Sequence, residues 1–354
     1  MSSDEGRVTG ASTVPPQIVI QQKSPMFGRF GKWLLAALVV AVMVIISLYS
    51  SYQSYFTPAD MPQEKYHSLA QFATKKIAIV EVSGPIYAGE ESFAAKQVER
   101  IRQDPEVVGV VVRVNSPGGT VTGSDYIYHH LRTLAEKRKM PIVVSMGSVC
   151  ASGGYYIAMA VGSEPDTIFA EPTTWTGSIG VIIPHFDLSG GLAKLGVADD
   201  SIASGPLKEM GSPTHKMTPV EKKVLQDLVN DSFKDFKDIV LSGRPKFKDK
   251  PAELDAVTTG QIFTAKQALA KGLVDKIGFM DVAIARATEL AGETAETVRC
   301  VKYEKRPSFF GSMLGAESRA PVRGVGDLSA VLDVATPRAY YLWSWLPTVL
   351  SNPQ

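Results

Sequence analysis

The chain is poor in the residues that most often announce a chemistry. It has two cysteines, Cys150 and Cys300, in 354 residues, too few for a disulfide scaffold or a cysteine zinc site. Its five histidines, His67, His129, His130, His185 and His215, include no H-E-x-x-H spacing. His129 and His130 are adjacent, so on a helix they point about 100° apart and do not chelate together. Nothing in these spacings argues for a metal, and none is expected. An excess of charge of one sign is also lacking, since 37 Lys and Arg against 36 Asp and Glu leave a net +1. With no basic stripe and no aromatic-interleaved Lys/Arg patch, nucleic acid is set aside as a partner. What is present is apolar material, 45% of residues against 21% charged, enough for one large core or two smaller ones.

From Trp33 to Tyr49 the chain reads "WLLAALVVAVMVIISLY", and no charge follows until Asp60. That is close to the roughly 20 residues that span a bilayer. Arg29 and Lys32 lie just before it, so the positive-inside rule keeps the N-terminal tail in the cytoplasm and sends everything after Ser50 outside. The exit, "YSSYQSYF", suits a headgroup belt. A cleaved signal peptide is the rival reading, but it has a shorter basic start and a small-residue cleavage site. The expected organisation is a disordered tail over 1–32, a retained anchor over 33–50, a linker over 51–72, a folded domain over 73–304 and a C-terminal tail over 305–354.

In the folded domain, "KIAIVEVSG", "VVGVVVRVN" and "PIVVSMG" are continuous apolar runs closed by turn residues, which predicts strands covered on both faces. Helical patterns lie between them at Glu91–Gln103 and Thr122–Arg138, and another follows Ser152. A shorter strand is expected near Thr167–Ala170, and a further apolar run covers Ile179–Ile183. A long amphipathic helix starts at Thr218 as N-cap, with Glu221 at capping-box spacing, and stops at Gly243. This alternation predicts an α/β domain with a largely parallel sheet. The tail ends in the aromatic "PRAYYLWSWLP", read either as packing on a neighbouring subunit or as a membrane contact.

Three small-residue turns and one lysine stand out. In "CASGGYYIAMA" Ser152 falls where a helix begins, the usual place for a cap. A cap requires neither Ala before it nor two glycines after it. A nucleophile does gain from small neighbours and from the N–H groups of a helix start. "NSPGG", Asn115–Gly119, follows a strand; it is either a plain connector or a loop aiming an N–H of Gly118 or Gly119 at the same oxyanion. No histidine sits in such a turn, so a base for Ser152 is sought elsewhere. "SGPLKEMGSP" sets Lys208 among small and apolar residues. It is either a solvated loop lysine or, if buried and neutral, a general base. Adjacent Glu209 would hold it charged if the two paired. In "TTWTGSIGV", Ser178 is a turn residue or a group that orients the lysine.

Taken in order, "VRVNSPGG", "SVCASGGYYIAMA", "TWTGSIGV" and "SGPLKEMGSP" resemble the bacterial signal peptide peptidase A family, serine peptidases of the Clp-protease/crotonase-like superfamily. The resemblance covers roughly Lys76 to Leu290. It implies an α/β fold of repeated ββα units and a serine endopeptidase needing no cofactor. Ser152 would be its nucleophile, Lys208 its general base and Ser178 the lysine-orienting serine. Gly153 and Gly119, or its neighbour Gly118, would be the oxyanion donors. The implied substrates are remnant signal peptides and other short apolar peptides. The implied setting is a bacterial inner membrane, with the catalytic domain on its outer side. The family's short form is an octamer in which adjacent subunits share each Ser/Lys dyad, so a homo-oligomer is expected. Two departures are Cys150, where small or apolar residues are common, and "VGSEPDTI", a few residues longer than usual. Three other readings stay open: a non-catalytic membrane scaffold of the same fold, a crotonase-type acyl-CoA enzyme, which an outward-facing domain disfavours, and Cys150 as nucleophile.

Overall fold

A computed structural model of the chain describes residues 28–56, 61–87, 89–305 and 340–342. They fall into two units, within residues 1–59 and 60–354. The first contains one helix, α1 (Arg29–Phe56). Its Gly31–Tyr49 stretch is long and apolar enough to cross a membrane by length and composition. The helix continues through the Tyr-rich exit, and its 28 residues span about 42 Å at 1.5 Å each. Of the tail expected over 1–32, residues 1–27 lie outside the described residues, and residues 29–32 already belong to α1.

In the second unit, nine strands among the described residues form one sheet. They are β1 (Gln63–Leu69), β2 (Lys75–Ser83), β3 (Val107–Ser116), β5 (Ile142–Ala151), β6 (Ile168–Ala170), β7 (Trp175–Gly177), β8 (Ile262–Thr264), β9 (Lys276–Ile277) and β10 (Val298–Glu304). The order is β1-β10-β2-β3-β5-β6-β9, with β7 paired to β5 and β8. All pairs are parallel except β1–β10 and β7–β8. Two short strands, β4 (Gly118–Thr120) and β11 (Tyr340–Leu342), form a separate antiparallel pair.

The helices are α2 (Phe93–Gln103), α3 (Val121–Arg138), α4 (Gly153–Ala158), α5 (Ser189–Lys194), α6 (Pro219–Gly243), α7 (Pro251–Val257), α8 (Ala265–Lys271) and α9 (Met280–Leu290). The continuous apolar strands are buried on both faces for a visible reason. On one face Val80, Val112 and Val144 meet Val98 and Ile101 of α2 and Ile127 and Leu131 of α3. On the other, Ala283, Ile284 and Ala287 of α9 cover Ile77, Ile79, Val111 and Val143. The capping box at the start of α6 forms as its spacing predicts, Thr218 Oγ1 accepting from Glu221 N–H and Glu221 Oε2 from Thr218 N–H.

The structure departs from the sequence reading in two places. Residues 63–69, expected in a linker, form the edge strand β1. The expected turn "TTWTGSIGV" contains β7. Strand β5 also changes partner along its length: Val144–Met146 pair with β6, and Val149–Ala151 with β7.

Candidate active site

Ser152 stands between β5 and α4, at the carboxyl end of a central strand, where open α/β sheets place their ligands. It is 1% exposed, and its backbone has φ 53° and ψ −112°. A non-glycine residue in this region carries strain of about 1–3 kcal/mol. The capping role is not what it performs, since its side chain makes no cap hydrogen bond. Its Oγ is buried with no hydrogen-bond partner at all among the described residues. A hydroxyl in that state costs about 1–3 kcal/mol, and such costs concentrate where a side chain has a task. The backbone N–H of Ser152 donates to Gly177 C=O at 2.8 Å, and Tyr156 N–H donates to Ser152 C=O at 2.9 Å. The N–H groups of Gly153, Gly154 and Tyr155 therefore precede Tyr156, the first helical donor, and have no acceptor within α4. The helix is only six residues long, so its contribution is these local N–H groups rather than a long dipole. Gly154 is small because a Cβ there would lie 3.1 Å from Ser116 C=O.

The "NSPGG" turn separates its two glycines. Gly118, at φ 102°, donates its N–H to Ser116 Oγ at 3.1 Å. Its C=O accepts from Ile86 N–H at 2.9 Å, and Thr120 N–H donates to Ile86 C=O at 2.7 Å. A trans peptide unit points its C=O and N–H in opposite directions. Both polar groups of Gly119 therefore face away from Ile86. A Cβ on Gly119 would fall 1.8 Å from Ile86 O, so only glycine fits. Thr120 closes the turn as N-cap of α3, accepting from Gly123 N–H at 3.1 Å. Asn115 Oδ1 accepts from Val149 N–H at 3.2 Å, tying this turn to β5. Ser116 and Ile86 were not legible as site residues; apolar patterning carries no signal for either.

Ser178 follows Gly177, whose carbonyl holds the Ser152 N–H. It is 6% exposed, has φ 51°, and anchors its N–H on Gln261 C=O at 2.7 Å. Its hydroxyl has no hydrogen-bond partner among the described residues. Among the described residues five non-glycine residues have positive φ; two of them are Ser152 and Ser178, linked across β5 and β7 by the Ser152 N–H to Gly177 C=O bond.

Lys208 is not brought to Ser152 within the chain. It is exposed, in a turn where its N–H donates to Gly205 C=O at 3.1 Å. Its ammonium makes no ion pair among the described residues, so the pairing with Glu209 does not form. Glu209 instead gathers with Asp199 and His215, their possible ligand atoms within 4.8 Å of one another. The excursion that carries Lys208 also exposes Phe186, Leu188, Leu195, Val197 and Ile202.

Cys150 is wholly buried and free. Burial pushes its thiol far above the usual range, with only weak opposition from Arg113. A thiol held neutral this way is no nucleophile. A cavity of about 780 Å³ lies elsewhere, lined by Leu69, Phe279, Met280 and Ile284 among others, and Ser152 has no part in it.

Comparison with known proteins agrees with this architecture. The model of peptidase family S49 matches residues 135–294, a span that includes Ser152, Ser178 and Lys208. A protein of Synechocystis sp. named as a protease is 38% identical over 245 residues, 69% of this chain and 85% of that protein. The chain belongs to peptidase family S49. A protein of Enterococcus faecium named as a signal peptide peptidase, SppA, is 37% identical over 251 residues, 68% of this chain and 70% of that protein. Protease 4 of Salmonella typhi is 36% identical over 222 residues, 61% of this chain but only 34% of that longer protein. The S49 assignment makes the chain a serine protease, and its mixed α/β fold with a mostly parallel sheet is the one its sequence predicts.

Proposed function

We propose that the chain is a membrane-anchored endopeptidase that cleaves remnant signal peptides and other short apolar peptides with a Ser152/Lys208 dyad. The carrying observation is the Ser152 hydroxyl: buried, without a partner, on a strained residue at the end of a strand. Ser152 Oγ attacks the scissile carbonyl carbon as its proton passes to Lys208 Nζ. The oxyanion rests on the N–H groups of Gly119 and Gly153. Gly118 is not the donor, because Ser116 already takes its N–H. The C–N bond then breaks, and Lys208 returns the proton to the leaving amine. Water, deprotonated by the same lysine, releases the acyl group as a carboxylate. Ser178 positions the lysine.

The dyad is shared between copies. Lys208 is solvent-exposed in its own chain, and the Ser152 hydroxyl has no hydrogen-bond partner there among the described residues. The apolar side chains exposed around Lys208 form the kind of surface that packs on a neighbour. Such packing would also supply the dry setting a neutral lysine needs. The family resemblance adds the octamer. The apolar α1 supports an anchor in a bacterial inner membrane, and Arg29 and Lys32 in its first turn would put the catalytic unit outside.

A fluorophosphonate probe tests the site. It is expected to label Ser152 in the wild type, to fail on Ser152→Ala, and to label Lys208→Ala far more slowly. Undiminished labelling of Ser152→Ala, or unchanged peptide hydrolysis by Lys208→Ala, would overturn the dyad.

A further inference from the structure

Strand β3 ends on Ser116, a fully buried serine outside the proposed dyad. Its Oγ accepts the Gly118 N–H at 3.1 Å. In the sheet it stands opposite Cys150 of β5, two residues before Ser152. Its C=O borders the start of α4, where a Cβ on Gly154 would meet it at 3.1 Å. One residue therefore borders both sources of N–H groups at the site, the turn that carries Gly119 and the helix start at Gly153.

That turn needs a hold. Gly118 and Gly119 adjoin, and glycine enters positive φ at little cost; Gly118 sits at φ 102°. Two hydrogen bonds keep the pair in one setting. Ile86 N–H donates to Gly118 C=O at 2.9 Å, and this carbonyl shares a peptide plane with the Gly119 N–H. The Ser116 hydroxyl holds the Gly118 N–H, one peptide unit earlier. Without that hydroxyl a buried N–H loses its acceptor, and a buried unpaired donor is costly. The Pro117–Gly118 unit is then free to rotate toward another partner, and the Gly119 N–H swings with it.

We infer that Ser116 is a positioning residue of the oxyanion site. Its hydroxyl withdraws the Gly118 N–H and keeps the Gly119 N–H aimed at the substrate carbonyl. The inference rests on the peptidase reading for its effect on rate, but the hold itself is testable without catalysis.

The test uses the full chain with Ser116→Ala. A second variant, Ser116→Cys, keeps the size of the side chain but offers only a weak sulfur acceptor. On a Ser152→Ala background, hydrogen exchange at the Gly118 amide is expected to quicken roughly tenfold or more in both. Unchanged exchange in both overturns the proposal, whatever the activity. With Ser152 restored, both variants are expected to lose about 10- to 100-fold in kcat at nearly constant KM, somewhat less than removal of an oxyanion donor costs. Affinity for a peptide aldehyde, whose Ser152 hemiacetal draws on the same N–H groups, should fall in parallel. Binding of uncleaved peptide to the Ser152→Ala background should not change. A merely structural role would move KM and peptide binding as well, and that result overturns the proposal. So does faster exchange with an unchanged kcat, or full activity in Ser116→Cys beside a loss in Ser116→Ala, since packing would then be what matters. Absence of hydrolysis in the wild type and every variant would instead count against the peptidase reading, while the exchange comparison still decides the hold.

Discussion

A mixing experiment separates a dyad shared between copies from one built within a chain. Ser152→Ala keeps the lysine and Lys208→Ala keeps the serine. Each alone is expected to lose about 10⁴-fold or more in kcat, as members of one catalytic unit do. In the single chain Lys208 is exposed and the Ser152 hydroxyl has no partner among the described residues, so under the proposed dyad a working site would draw one group from each of two neighbours. In a cyclic assembly of the two variants at equal amounts, a site is complete only when a Lys208→Ala copy supplies the serine and a Ser152→Ala neighbour supplies the lysine. Random placement meets each condition half the time, so about one quarter of sites are complete in a closed ring. Co-expressed, differently tagged variants purified through both tags are expected to hydrolyse peptide at about a quarter of the wild-type rate, thousands of times above either variant alone. Co-purified variants that remain at the level of the single variants would refute the shared dyad, provided a fluorophosphonate still labels the wild type.

Other outcomes follow from the same geometry. Ser152→Gly is expected to lose hydrolysis yet gain about 1–3 kcal/mol of stability in urea melts, because it relieves a positive φ and a stranded hydroxyl. Gly119→Ala drives a Cβ into Ile86 O and should cost about 1–3 kcal/mol or more together with activity. Thiol reagents should leave activity intact and modify Cys150 and Cys300 only after denaturation, burial having pushed the Cys300 thiol up to about 12 and Cys150 further. Asp275 is paired to buried Arg244 at 2.7 Å. Burial opposes its charge, but the Arg244 hydrogen bond and charge prevail and hold its carboxyl below the usual value. Asp275→Ala should therefore cost about 3–5 kcal/mol at neutral pH. The stabilisation is whole above the ordinary carboxylate range, about 4, and fades as pH falls through the lower folded value, so melts at pH 7 and pH 3 should show the gap narrowing.

The central strands were legible because β2, β3 and β5 are covered on both faces and so read as unbroken apolar runs. Strand β1, "QEKYHSL", was not: it is an edge with little buried area, and edges carry polar residues. Strands β7 and β8 have three residues each, too few to show a period. The long helix was fixed by its cap at Thr218. Small residues flagged the neighbourhood of Ser152, but no sequence displays a φ of 53°. Nor could it show which glycine of "NSPGG" turns its N–H away from Ser116 and Ile86, since that depends on Ile86, some thirty residues upstream. The tail resisted reading for a related reason: its bonds to β4 are main-chain bonds, which aromatic composition does not encode.

The change of partner along β5 has a consequence for how such a chain varies. Its first half is welded into the main sheet through β6, and folding depends on it. Its second half leans on β7, which hands over to β8 and sits beside the serine. Lengthening or recolouring that outer arm would reshape the walls around Ser152 while the inner strands stay stacked. Selectivity and foldability are thus written on different stretches of a single ten-residue strand.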